Sequence, residues 1–64
     1  MKYKVIKNYY AYLGEFPILL PVGTIFTHWE GRGFYLSEAV DGYCVPVMKW
    51  AVESWSNYFE KVTE

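Results

Sequence analysis

Few side chains in this sequence could make or break a bond. Cys44 and His28 are its only thiol and only imidazole. A thiolate–imidazolium pair needs them within hydrogen-bond reach, and they fall on different predicted strands. Cys44 reads as a buried small apolar residue and His28 as a strand-surface residue. These two are also the only soft metal ligands, too few for a zinc site, and a lone cysteine forbids an internal disulfide. Glu38 and Asp41 could pair as acid and base, but Asp41-Gly42 is better explained by turn chemistry. Glu30-Gly31-Arg32-Gly33 carries the glycines of a phosphate cradle, yet no helix start follows it; it reads as a hairpin turn. No set of residues calls for an enzyme, a metal or a cofactor.

The chain does carry rings. Fourteen of its 64 residues are Phe, Trp or Tyr, more than one tiny core needs. Aromatic rings bury large areas at low entropic cost, and Trp, Tyr and Arg dominate interface energetics. Either many tyrosines are half-buried or some rings meet a partner. The candidate contact residues are Tyr9, Tyr10 and Tyr12 in one stretch, and Trp29, Arg32 and Tyr35 around one turn. Trp50 or Trp55 is expected in the core, Trp29 less so. The favoured partner is a protein. A second copy, paired along an open strand edge, is a variant of that idea. Single-stranded nucleic acid is the other alternative, with bases stacking on tyrosines beside Lys7 and Arg32. The net charge of −1 and the lack of a basic stripe weigh against it.

Sixty-four residues make one small domain, in which stability has a thin margin. The start is basic, with Lys2, Lys4 and Lys7, and the end acidic, with Glu53, Glu60 and Glu64. That asymmetry predicts that the first and last strands lie together. No apolar stretch follows Lys2 and Lys4 as in a signal peptide, and Pro17, Pro21 and Gly23 interrupt the most apolar run. With a lone thiol, this points to a reducing cytoplasm.

The elements that must place the rings centre on Val22–Val47. Val22 to Trp29, Phe34 to Ala39 and Tyr43 to Val47 read as an antiparallel meander, with Gly-containing turns between them. Ahead of it, Lys2 to Lys7 alternates as a first strand, with Tyr3 and Val5 inward. Leu13 to Pro21 reads as a long apolar connection, since Pro17 and Pro21 cannot donate to a ladder. Pro21-Val22-Gly23-Thr24 reads as a tight turn with Gly23 at positive φ. Pro46 confines its strand to an edge. Met48, Val52 and Trp55 share one face of a short helix, with Lys49 and Glu53 paired outside. Tyr58 to Val62 closes the chain as a last strand.

This order, strand, loop, three-strand meander, helical turn and strand, resembles the Src-homology-3-like small barrel. The resemblance implies a mainly β, five-stranded barrel with one short helix before the last strand. Phe16 to Phe26 is similar to the segment where a loop in that fold diverges into the second strand through a glycine. The aspartate-bearing tyrosine motif of proline-peptide binders is missing, with Tyr9-Tyr10-Ala11-Tyr12 in its place. The paired tryptophan that opens their third strand is missing too. Proline-peptide recognition is therefore not implied.

The chain also resembles small proteins of bacteriophages and prophages of Gram-positive bacteria. The matching residues are Gly23-Thr24-Ile25-Phe26, Gly33-Phe34-Tyr35, Pro46, Trp50-Ala51-Val52-Glu53 and Tyr58-Phe59-Glu60. That resemblance implies a phage-encoded accessory protein that binds and modulates a host protein.

Overall fold

The computed structural model describes residues 1–63, so Glu64, counted above in the acidic end, lies outside them. The chain is mainly β with one short helix. Its elements are β1 (Lys2–Val5), β2 (Tyr9–Leu13), β3 (Phe16–Leu20), β4 (Ile25–Trp29), β5 (Phe34–Ser37), β6 (Pro46–Met48), α1 (Lys49–Ser54) and β7 (Phe59–Val62). Five strands form one antiparallel sheet in the order β6-β5-β4-β1-β7, and β2 pairs only with β3.

The expected meander is present as β4-β5-β6. Gly23 turns the chain into it at φ +99°, where the Thr24 N–H and hydroxyl both donate to the Pro21 carbonyl. Asp41 and Gly42, both at positive φ, reverse the chain between Val40 and Tyr43, which exchange backbone hydrogen bonds. Pro46 sits on an edge strand, as its missing N–H requires. The first and last strands are neighbours, and Lys4 lies opposite Glu60, a favourable cross-strand pair.

Three expectations are corrected. First, Leu13 to Pro21 is no loose connection: β2 and β3 form a hairpin around Gly14-Glu15, with Gly14 at φ +64° supplying the turn. Pro17 is tolerated because it lies opposite Tyr12, at a position that owes the ladder no hydrogen bond. Second, among the described residues the strands number seven and not five, and they form two sheets. Third, the helix buries Ala51 and Val52, while Met48 and Trp55 stay exposed. Met48 is spent as the last residue of β6, and six residues make too few turns for the expected stripe.

The core is Val5, Leu20, Phe26, Tyr35, Val45 and Val52, all buried completely, with Ala11, Val47, Ala51 and Phe59 around them. Tyr35 is 0% exposed. Its ring meets Tyr3 edge-on at 5.3 Å and His28 at 5.0 Å. Its hydroxyl donates to Glu53 Oε2 at 3.0 Å and lies 3.3 Å from Met1 Sδ. The Tyr35–Glu53 bond ties α1 to the sheet, so Glu53 points to the interior's one phenol and not to Lys49. A six-residue helix without a side-chain cap needs such tertiary anchors. A second is the Lys49 N–H, which donates to the Gly33 carbonyl.

Tyr35→Phe is expected to destabilise the fold by about 1–2 kcal/mol. Glu53→Ala should cost at least as much, because it strands a buried hydroxyl; urea denaturation measures both. Burial, the Glu53 hydrogen bond and neighbouring negative charge raise the Tyr35 pKa well above its ordinary value. Burial and Tyr58 raise that of Tyr9. In the unfolded chain both phenols ionise near pH 10. The protonated forms therefore stabilise the fold fully below about pH 10, and that stability is lost as pH rises toward the folded values. Urea midpoints should hold up to about pH 10 and fall above it, with a shallower fall in Tyr35→Phe.

Candidate functional site

Four of the exposed rings, Tyr10, Tyr12, Trp50 and Trp55, gather between β2, β6 and α1, while Phe16 and Tyr43 line a separate hollow. Strand alternation turns Tyr9 and Ala11 toward the core and Tyr10 and Tyr12 outward, leaving Tyr10 62% and Tyr12 69% exposed. Opposite them β6 presents Pro46 and Met48. On α1, Ala51 and Val52 take the buried face, which leaves Trp50 59% exposed. Trp55 ends the helix beside it. These six side chains line a groove of ≈ 240 Å³. Tyr9 and Trp55 also line an adjoining hollow of ≈ 460 Å³ with Ser54, Ser56, Asn57 and Tyr58.

The groove is held from behind by ring contacts. Trp50 meets Trp55 edge-on at 5.5 Å, and Trp55 meets Tyr9 at 6.0 Å. Tyr9 touches Tyr58 at 5.6 Å and Phe59 at 5.4 Å. Phe59 then packs on the buried Phe26 at 5.5 Å. A continuous chain of aromatic side chains thus runs from the surface to the centre of the core, and edge-to-face pairs add to the area buried. At the far end the Lys7 ammonium lies 5.4 Å from the centre of the Tyr58 ring, within cation–π range. Among the described residues, no charged side chain lines the groove.

Of the six residues selected from the sequence, Tyr9, Tyr10 and Tyr12 meet in this groove. Trp29 and Arg32 form a separate cluster, in which the guanidinium lies 5.4 Å from the centre of the indole ring and Phe34 packs edge-on at 5.2 Å. Trp29 is 46% exposed and lines a shallow hollow with Thr27, His28 and Leu36. Tyr35 is removed from the contact surface: it points inward from β5, and its ring is enclosed. Trp50 and Trp55, of which one or the other is expected in the core, are both groove walls. The 3.6-residue period already set Trp50 opposite the face shared by Met48, Val52 and Trp55; it was missed because a tryptophan was taken for core.

Among the described residues, the side chains considered for chemistry lie apart. His28 Nδ1 lies 3.8 Å from Glu30 Oε1 and its ring rests on Tyr35. Cys44, expected to be buried, is instead exposed, because it precedes Val45, which takes the inward position, and no described contact joins it to His28. Asp41 serves the turn. Among the described residues no three His, Cys, Asp or Glu side chains cluster as a metal site, and no helix is long and apolar enough to cross a membrane. The arrangement offers apolar area and aromatic hydroxyl and indole donors to something laid along it. Comparison with protein-family models, curated proteins and solved structures finds no match for this chain.

Proposed function

We propose that this protein is a non-enzymatic binding module that takes a protein partner in the groove between β2, β6 and α1. The observation that carries this reading is the convergence of Tyr10, Tyr12, Met48, Trp50 and Trp55 on one uncharged groove. Large rings left in water at one place are costly unless something covers them. Those anchored to a rigid core lose little entropy when covered.

We read the architecture as a Src-homology-3-like barrel. The strand order β6-β5-β4-β1-β7, the hairpin between the first strand and the meander, and the helical turn before the last strand support that reading. The motif differences in β2 still speak against proline-rich ligands. The resemblance to phage proteins makes a host protein in the cytoplasm the partner to look for.

The test is selection from a random-peptide display library, followed by titration of the selected peptides with tryptophan fluorescence as readout. Trp50→Ala and Tyr12→Ala should each weaken binding by roughly tenfold or more with an unchanged melting temperature. Trp29→Ala should leave affinity intact. Selected peptides that ignore Trp50 and Tyr12, or that depend on Trp29, would move the site elsewhere and refute the reading.

A further inference from the structure

The groove has backbone walls as well as rings. Four consecutive residues, Tyr9 to Tyr12, line it. Alternating side chains cannot all reach one side of a strand, so the open edge of β2 itself faces the groove. The hairpin register settles which backbone groups that edge presents. Around the two-residue turn Gly14-Glu15, Leu13 and Phe16 form the closing pair, so hydrogen bonds join Leu13–Phe16, Ala11–Ile18 and Tyr9–Leu20. Pro17, opposite Tyr12, fits that assignment. The N–H and C=O groups of Tyr10 and Tyr12 then point away from β3, and no turn or loop hydrogen bond claims them.

Across the groove the same logic applies to β6. Val45 O accepts from the Ser37 N–H, and the Lys49 N–H donates to Gly33 O, so Val45, Val47 and Lys49 turn toward β5. Pro46 and Met48 turn outward. Pro46 has no N–H, which leaves β6 a poor edge for pairing.

The other open edges are each protected. β3 contains Pro17, β6 contains Pro46, and β7 carries Glu60 and Lys61. Prolines and charges are common means of blocking edge pairing. β2, Tyr-Tyr-Ala-Tyr-Leu, has neither.

Resting on the groove reading above, we propose that the occupant is an extended peptide. It adds to β2 as an antiparallel strand, with uncharged side chains along the groove and a carboxylate at its C-terminal end. The four free groups of Tyr10 and Tyr12 set its backbone register. The uncharged walls exclude charged side chains from its middle, which would be desolvated without a partner. Antiparallel pairing brings its C-terminal end to the start of β2. There the adjoining hollow reaches Tyr58, and among the described residues no carboxylate pairs with Lys7. A folded second copy does not fit, because its own β2 edge faces into its own groove, walled by β6 and α1.

The probe is acetyl-Thr-Val-Tyr-Val-Glu with a free C-terminal carboxylate, titrated by tryptophan fluorescence and by amide shifts of Tyr10 and Tyr12. Saturable binding is expected, with the Tyr10 and Tyr12 amides moving most. N-methylation of alternate peptide nitrogens should weaken binding by about tenfold or more in one frame and little in the other. Tyr12→Pro, which removes the outward N–H together with the ring, should weaken it further than Tyr12→Ala, which keeps that N–H, and the melting temperature reports whether the proline variant folds. Lys7→Glu should remove the preference for the carboxylate over the C-terminal amide with Gln in place of Glu. Equal binding in both methylated frames, which needs only the wild-type protein, would overturn the strand-addition mode. If this peptide does not bind while library-selected peptides still depend on Trp50, this inference fails and the groove reading stands. Self-association of the protein alone, abolished by Tyr12→Pro, would overturn the choice of occupant.

Discussion

Tyr9 is where the two sheets of this protein are joined. It leaves β2 and meets Phe59 of β7, Tyr58 before it and Trp55 at the end of α1. A two-stranded hairpin is marginal in water by itself, and β2–β3 has no ladder to the larger sheet. Its attachment is side-chain burial: Ala11 and Leu20 inside, with Tyr9 and Ile18 packed against the core. Of these, Tyr9 and Ala11 also line the groove, and Tyr9 carries its ring contacts. The surface that would meet a partner and the contact that holds the hairpin in place therefore share one ring. Loosening that ring would change both together.

The same economy governs α1. Too short to persist unaided, the helix is fixed by the Gly33 carbonyl at one end and by the phenol of Tyr35 through Glu53. Its outer side is then free to display Trp50. Tyr35 lies in the fold's interior and still has a bearing on the surface, through the element it restrains.

Much of the fold was legible because turn chemistry and strand composition act locally. Gly23, Asp41-Gly42 and Pro46 each place one backbone constraint, and each constraint appears where its residue type demands it. The opposite charges of the two ends point to the β1–β7 pairing. What escaped depended on context. Pro17 reads as a breaker until its ladder position is known. The limits of the helix could not be taken from its own sequence: Met48 belongs to β6 and Trp55 follows the last turn, so of the expected stripe only Val52 is buried. Tyr35 looked like a surface ring because it follows a glycine turn beside Trp29 and Arg32. One residue of register turned it inward. The tyrosines of β2 were legible as contact residues for a simpler reason: alternation leaves at least one of three close rings outside.

Because β1 lies between β4 and β7, the first and last strands run side by side, and Lys2 sits opposite Val62. Residues so paired have Cα atoms about 5 Å apart. A short linker could bridge them, and the chain could be opened instead at Gly14-Glu15 or Gly31-Arg32. Such a circular permutant would keep each strand neighbour while changing the order in which they are made. The domain could equally be spliced into an exposed loop of a carrier protein, entering and leaving at nearly the same point.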